Sequence, residues 1–351
     1  EHTRIATRKG EVLGALHLTT DTIRIGEARL KMGGLGWVAT SARHRKRGIG
    51  RKLIEDALAY MREHGYHVSM LFGIPSFYHR FGYVSALIDY TILMETTEAR
   101  TFDNPFKSSI ATPGEIPLLQ KMHNANDANS ICSLIRTAAH LHNKWGRWNK
   151  WRMLKDEQGK AVAYLYAVVE RGCLYVTEVG VSEAGVCAAV VQEAARIAKS
   201  EEVTQIRFCV PPAHPLARFL GQFNSEHEGR IENGGGGMMA FINVAETLES
   251  MVPEWDSLLA KSIARELRTE FTLVLGKSAY RIRANRGAID VSTNPGASKI
   301  SLKNGDLMHL LTGYRHPNDI LESRRCILTS DARVLFTTLF PKRNPYVWRF
   351  D

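Results

Sequence analysis

The stretch that decides the fold is VATSARHRKRGIG, residues 38–50, in which a short apolar strand runs into a basic turn with two glycines. Gly48 and Gly50 lack Cβ atoms, so the backbone can turn tightly and present its N–H groups to an anion. The residues that follow predict a helix, because their apolar members recur at helical spacing: Leu53, Ile54, Ala57, Leu58 and Met61. The positive end of that helix adds to the attraction, so the stretch predicts an anion site.

The spacing within this turn separates it from two other phosphate-binding loops. It has neither Gly-x-x-x-x-Gly-Lys-Ser/Thr nor the Gly-x-Gly-x-x-Gly pattern of dinucleotide-binding folds. It does contain Arg45-x-x-Gly48-x-Gly50. A basic turn before a helix is also typical of solvated surface, so a second motif is needed to decide between the two interpretations.

A second motif, FYHRFGY, occupies residues 77–83, one predicted strand beyond the helix. The rings of Phe77, Phe81 and Tyr83 are typical of packing between a helix and a sheet. Tyr78 suits a chemical role, because a phenol keeps its proton at neutral pH and can donate it as negative charge develops beside it.

With both motifs in this order, the sequence resembles the GCN5-related N-acetyltransferases, whose acetyl-CoA pyrophosphate loop reads Arg/Gln-x-x-Gly-x-Gly/Ala. More narrowly, it resembles the enhanced intracellular survival (Eis) family over almost the whole chain. The resemblance implies an α+β (mixed α/β) fold. It implies an active acetyltransferase domain of sheet and helices at residues 1–95, a linker at 96–113, a degenerate acetyltransferase-like domain at 114–245, and a small sterol-carrier-protein-like α+β domain at 246–351.

The resemblance also implies roles for individual residues. Tyr78 would be the general acid that protonates the departing CoA thiolate, and the terminal carboxylate at Asp351, on a tail that returns to the active site, would be the base. Strand residues Val38, Ala39 and Thr40 would pair with the pantetheine arm and donate an N–H to the thioester oxygen. The residues that would hold the CoA phosphates are Arg45, Lys46, Arg47, Gly48, Ile49, Gly50 and Arg51. No metal and no covalent acyl-enzyme are implied, and an ordinary docked tail is the alternative for the C-terminus.

The second domain repeats the strand and helix pattern without the basic turn. Strands are predicted at Ala161–Glu170 and Cys173–Val181, and a helix at 127–142. Glu183 precedes the next helix, where its charge would repel an anion, so we expect this copy not to bind CoA. Three tryptophans spaced three residues apart are expected to pack in the core rather than to line a substrate site: Trp145, Trp148 and Trp151.

Other segments give weaker predictions. Strands are predicted at 11–18 and 22–30 with a turn at 19–21, and the first strand and helices of the usual fold, which help to wall the acceptor site, are expected to be missing. Four consecutive glycines at 234–237 do not lead into a helix, so a flexible hairpin loop is favoured over a phosphate site. An apolar strand follows them at 238–244.

Composition limits the classes of protein that the sequence fits. A chain of 351 residues is long enough for two or three cores, and its net charge of +10 would attract nucleic acid. The basic residues are scattered outside 43–47, however, and a positive field would equally attract anionic CoA. Five widely spaced cysteines and the lack of an apolar run of about 20 residues favour a cytoplasmic protein with no nucleic-acid or membrane partner.

The predicted function is an acetyl-CoA-dependent N-acetyltransferase that moves an acetyl group to a primary amine by direct attack in a ternary complex. Two alternatives remain open: a non-catalytic scaffold or apolar-ligand carrier that uses the C-terminal domain, and a protein lysine or N-terminal acetyltransferase. The intact loop and Tyr78 favour an enzyme over a carrier. The acceptor, a small-molecule or protein amine, is not identified by the sequence, and the family resemblance implies a homo-oligomer.

Overall fold

The computed structural model describes residues 2–137 and 150–348. Strands dominate the first 95 residues, and one long helix separates two groups of them. Their order is β1 (His2–Arg8), β2 (Glu11–Ile25), β3 (Ala28–Thr40), α1 (Ile49–Glu63), β4 (Val68–Gly73), β5 (Val84–Ser85) and β6 (Asp89–Glu95).

The middle of the chain alternates short helices and strands. Its elements are α2 (Thr96–Ala99), β7 (Lys107–Ile110), α3 (Ile116–Asn126), β8 (Ile131–Leu134), β9 (Trp151–Lys155), β10 (Ala161–Glu170), β11 (Cys173–Val181), α4 (Cys187–Ser200), β12 (Gln205–Phe208), α5 (Pro215–Leu220) and β13 (Glu226–Arg230).

The last third begins with one strand and two helices and continues into a small sheet with further helices. Its elements are β14 (Gly236–Phe241), α6 (Val244–Ser250), α7 (Val252–Ala260), β15 (Arg268–Leu275), β16 (Ser278–Asn285), β17 (Ala288–Ser292), β18 (Lys299–Ser301), α8 (Asn304–Thr312), α9 (Pro317–Ser323), β19 (Cys326–Ile327) and α10 (Ser330–Leu339). None of the helices in the described ranges has the length and apolarity needed to cross a bilayer.

The chain divides into two compact units, and neither is continuous in sequence. Unit 1 consists of residues 2–87 and 231–345, and unit 2 of the described residues among 88–230 together with 346–348. The continuous domain ranges given by the sequence stay a prediction. The units are discontinuous because β14 lies in the first sheet of unit 1 and β6 in the sheet of unit 2.

Unit 1 contains two sheets. The first has the strand order β1-β2-β3-β4-β14-β5, and α1 covers one face with the apolar side predicted from its spacing. Met238 and Ala240 of β14 complete that core. The second sheet has the order β17-β16-β15-β18-β19, and α10 packs on it through Phe336, whose ring centroid lies 5.3 Å from that of Phe271. A sterol-carrier-like identity for this part stays a prediction.

The hairpin of β2 and β3 differs from the prediction. The turn predicted at 19–21 is wrong, because β2 runs without interruption to Ile25 and turns at Gly26, where φ is +58°. Thr19, Thr20 and Thr22 are compatible with a strand because they are β-branched. Asp21 does not break the strand, since its carboxylate accepts a hydrogen bond of 2.7 Å from Thr19 Oγ1.

Unit 2 is a sheet in the order β13-β6-β12-β11-β10-β9-β7, with α4 packed against it. The strands predicted at Ala161–Glu170 and Cys173–Val181 are confirmed as β10 and β11. The helix predicted at 127–142 is wrong for its first part, where a single 3₁₀ turn at Asp127–Asn129 leads into β8. Asn126 is the last residue of α3. Its side-chain amide donates a hydrogen bond to the Val181 carbonyl and accepts one from the Val181 N–H.

A buried charged cluster lies inside unit 2. The Glu178 carboxylate accepts hydrogen bonds from Arg136 Nη1 at 2.6 Å and from the Tyr164 hydroxyl at 2.9 Å, and all three side chains are buried. Although burial opposes the charge of Glu178, Arg136 and His123 outweigh it and lower its pKa to about 2. Because removal of one partner of such a pair leaves an uncompensated buried charge, a single substitution in the cluster should destabilise unit 2.

The variant Glu178→Gln should therefore lower the free energy of unfolding by about 3 kcal/mol at pH 7. The folded-state pKa lies below the ordinary 4.5, so the charge stabilises the fold above about pH 4.5 and this contribution is lost as the pH falls toward 2. Denaturant unfolding at pH 7 and pH 3 measures the difference. Glu170→Gln, at an exposed position, is the control, and an equal loss at both pH values would contradict the role of the charge.

Candidate functional site

A gap opens in the first sheet of unit 1 between β3 and β4. The two strands run parallel and pair only at Met32–Val68, Gly33–Ser69 and Gly34–Met70. Beyond these positions β3 continues to Thr40, paired with β2, and β4 continues to Gly73, paired with β14. The strands thus diverge, and backbone groups along their facing edges are available to a ligand. We call this opening the β3–β4 gap.

A chain of hydrogen bonds joins the two strands just before they separate. The Tyr83 hydroxyl donates to Ser69 Oγ at 2.6 Å, and Ser69 Oγ donates to the Gly33 carbonyl at 2.7 Å. Tyr83 is fully buried, and that burial raises the pKa of its hydroxyl. The chain joins β3 to β4 at the middle one of their three paired positions. Tyr83 was predicted to be a packing residue, and its place in the core confirms this.

The basic turn lies at the end of β3. After Thr40 the chain makes a 3₁₀ turn at Ala42–His44, and left-handed backbone follows at Lys46 (φ +60°) and Gly48 (φ +78°). Gly48 is the N-cap of α1, and the hydrogen atoms of Gly50 face Thr40, whose Oγ1 would lie 3.6 Å from a Cβ at that position. The order of strand, turn and helix predicted from the sequence is confirmed.

The turn has the features of an anion site. The N–H groups of residues 48–51 begin the helix and donate no hydrogen bond within the part of the chain that the structure describes. Four side chains around them are exposed and cationic: Arg45, Lys46, Arg47 and Arg51. Ile49 is half-buried and packs against the core under α1, which anchors the turn. Unpaired donors, a helix dipole and cationic side chains together favour phosphate oxygens.

Tyr78 opens the 3₁₀ helix Tyr78–Phe81 shortly after β4, the position predicted for it. Its ring packs edge-on against Phe77 at 4.9 Å and Tyr83 at 6.2 Å. Burial raises the pKa of the Tyr78 hydroxyl, so the phenol is protonated at neutral pH. The packing expected of Phe77 and Phe81 is confirmed, since both lie partly buried against the same core.

The glycines that support Tyr78 are not among the site residues predicted from the sequence. A Cβ atom on Gly73 would lie 2.7 Å from Tyr78 Cδ2 and 2.9 Å from Met238 Sδ, so only glycine fits below the tyrosine ring. Gly73 pairs with Gly236 of β14, the third of the four consecutive glycines. A glycine at the end of an apolar strand is a sequence signal for such close packing.

The glycine run is part turn and part strand, so the loop predicted at 234–237 is wrong for its last two residues. Ser76 N–H donates to the Gly234 carbonyl at 3.0 Å, and Ser85 Oγ donates to the Gly235 carbonyl at 3.1 Å. Gly236 and Gly237 are buried and begin β14. The run therefore holds the segments on both sides of Tyr78, and its lack of side chains permits the close approach.

Some of the predicted residues lie outside the described ranges. Asp351 is one of them, so its role stays a prediction, and the same holds for the packing of Trp145 and Trp148. The packing of Trp151 is confirmed, since this residue is fully buried in β9 with its ring centroid 5.1 Å from that of Tyr166. Unit 1 places the other predicted residues on consecutive elements: Val38–Thr40 along the β3–β4 gap, residues 45–51 at the end of β3, and Tyr78 beyond β4.

The parallel strand pair of unit 2 has different surroundings. Strands β11 and β12 are also parallel and pair at three positions, the last being Val176–Phe208. Side chains near the C-terminus pack beside this pairing: the Tyr346 hydroxyl donates to the Cys209 carbonyl at 2.9 Å, and Trp348 Nε1 donates to Asp127 at 3.0 Å. Both rings belong to the buried core of unit 2.

Comparison with known proteins agrees with this architecture. Residues 1–86 match the family model described as an acetyltransferase (GNAT) domain, in which GNAT denotes the GCN5-related N-acetyltransferases. No curated protein matches the sequence significantly. The likeness to the family model thus covers the segment with the β3–β4 gap, the basic turn and Tyr78.

Solved structures are similar over nearly the whole chain. A GCN5-related N-acetyltransferase from Anabaena variabilis is 16% identical with a TM-score of 0.74, covering 99% of this chain and 89% of its own. A GCN5-related N-acetyltransferase from Kribbella flavida is 15% identical with a TM-score of 0.73, and the match covers 98% of this chain and 85% of the Kribbella chain. Eis1 from Mycobacterium abscessus is 14% identical with a TM-score of 0.65, covering 100% and 90%. The mixed α+β fold predicted from the sequence is confirmed, and it is the fold of these acetyltransferases.

Proposed function

We propose that this protein is an N-acetyltransferase that transfers an acetyl group from acetyl-CoA to a primary amine by direct attack in a ternary complex. The observation that carries the proposal is the β3–β4 gap, which has the basic turn at the end of one strand and Tyr78 beyond the end of the other. An anionic donor could bind along such a gap with its phosphates at the turn and its reactive end near the tyrosine.

The basic turn fits the phosphates of CoA. Its free N–H groups at residues 48–51 can donate to phosphate oxygens, and the side chains of Arg45, Lys46, Arg47 and Arg51 supply the opposite charge. Gly48 is required by its left-handed φ of +78°, which L-residues with a side chain rarely adopt. Acetyl-CoA supplies the acetyl group as an activated thioester.

The edge of β3 fits the pantetheine arm. Within the described residues, the end of β3 at residues 38–40 has a strand partner, β2, on one side only, so the backbone groups on the other side can bond to an extended ligand, as a further strand would. An N–H of Val38, Ala39 or Thr40 is the donor that we assign to the thioester oxygen.

Tyr78 is the proton donor in this proposal. As the acetyl group leaves sulfur, negative charge develops on the thiolate, and a neutral phenol beside it can donate its proton. The raised pKa of Tyr78 keeps the phenol protonated in the resting enzyme.

The acceptor amine needs a base, because an ammonium group with a pKa near ~10.4 is almost fully protonated at neutral pH. A carboxylate at Asp351 is the base that the family resemblance implies. It lies outside the described residues, so this assignment rests on the resemblance alone.

Gly48→Glu should abolish acetyl-CoA binding in calorimetry, since it adds a negative charge and a strained side chain where the phosphates are to lie. Gly287→Glu is a matched control with φ of +86° and no heavy atom within 4 Å of its added Cβ, as at Gly48. It should leave the dissociation constant unchanged. Unaltered binding in Gly48→Glu would overturn the assignment of the basic turn.

Tyr78→Phe should lower kcat about 100-fold while the KM for acetyl-CoA changes little, because the variant keeps the ring and loses only the proton donor. Steady-state release of CoA thiol measures both constants. Tyr60→Phe, on the partly exposed side of α1, is the control and should behave like the unaltered enzyme. A normal kcat in Tyr78→Phe would remove Tyr78 from the mechanism.

Gly73→Ala should reduce stability by about 1–3 kcal/mol and lower kcat, since the added methyl group would displace the Tyr78 ring. Thermal unfolding and thiol release measure the two effects. Gly36→Ala is the comparison for stability, because a Cβ there meets no atom within 4 Å. Equal stability of the two variants would contradict the close packing of Gly73 under Tyr78.

A further inference from the structure

Large apolar side chains are exposed on both strands that border the β3–β4 gap. Trp37 on β3 is 68% exposed, and Phe72 and Ile74, at the end of β4 and just beyond it, are 43% and 65% exposed. Single exposed hydrophobic residues are common, but a group of them around a reactive centre marks a surface that an apolar ligand can cover.

The backbone holds Trp37 in an uncommon conformation. Gly36 pairs with His17 and Ala39 with Ala15, so Trp37 and Val38 together stand opposite one residue of β2 in a β-bulge. The φ angle of Trp37 is +53°, in the left-handed region where bulky residues are rare. The bulge thus keeps an indole side chain largely exposed beside the gap.

The two strand segments that border the gap carry no charged side chain. Residues 33–42 and 68–77 contain no acidic or basic residue, so these segments themselves offer no carboxylate to a second or third ammonium group. The basic turn that follows at residues 43–47 adds positive charge at the end of β3. Like charges repel, so an amine with several cationic groups would be bound poorly here.

We propose that the acceptor is a primary amine on an apolar body, aromatic or alkyl, and that this body lies against Trp37, Phe72 and Ile74. Its single amino group would then point into the gap, toward the thioester. This inference rests on the proposed acetyltransferase function and names its substrate class.

The test compares four acceptors with the full-length protein and acetyl-CoA: 2-phenylethylamine, hexylamine, spermidine and a peptide with one lysine. We expect kcat/KM to be at least about tenfold higher for the two apolar amines than for spermidine and the peptide. A preference for spermidine or the peptide, with acetyl-CoA binding intact in calorimetry, would overturn the substrate class and leave the proposed function in place. No binding of acetyl-CoA would overturn both.

Substitution of the exposed apolar residues tests whether they contact the acceptor. Trp37→Ser and Ile74→Ser should each raise the KM for 2-phenylethylamine about tenfold without changing the dissociation constant of acetyl-CoA. Ile327→Ser, on β19 and also 65% exposed, is the matched control and should have no effect. An unchanged KM in both test variants would overturn the proposal. So would a change of oligomeric state in size-exclusion chromatography, since a second copy would then cover the surface.

Discussion

The site in unit 1 depends on one constraint, namely that β3 and β4 pair at three positions and then separate. Separation of neighbouring strands leaves backbone donors and acceptors without partners, and such groups are costly unless water or a ligand satisfies them. Both strands can stay extended beyond the last pair because each keeps a partner on its outer side, β2 for β3 and β14 for β4. The order of the strands in the sheet thus allows the gap to form.

Strand β14 follows the residues of unit 2 in the sequence but belongs to the first sheet of unit 1. Without it, β4 would lose its outer partner, and the core under α1 would lose Met238 and Ala240. The glycines at the start of β14 approach Gly73 and the segment before Tyr78 more closely than residues with side chains could. The proposed acid is therefore supported by a segment about 160 residues away in sequence, so the first 95 residues do not form the site by themselves.

The sequence could predict those parts of the site that are local. The basic turn, α1 and the helical turn at Tyr78 each depend on residues close together in the chain, and each is where the pattern placed it. The gap itself depends on pairing with β14, and an apolar strand carries no local sign of which sheet it joins. The turn at 19–21 was misplaced for a related reason, since a polar Asp21 suits both a turn and the edge of a long strand.

Unit 2 also contains a pair of parallel strands, but its surroundings differ from those of the β3–β4 gap. Its parallel pair, β11 and β12, also stops after three residues, yet α4 begins without a basic turn or a left-handed glycine. Glu178 on β11 is buried with Arg136, while Tyr346 and Trp348 belong to the hydrophobic core of unit 2. Unit 1 thus has an exposed, positively charged turn after β3, whereas unit 2 has a buried ion pair and packed aromatic rings near its parallel strands. Since a charge buried with its own partner cannot also attract a phosphate, we expect unit 2 not to bind CoA.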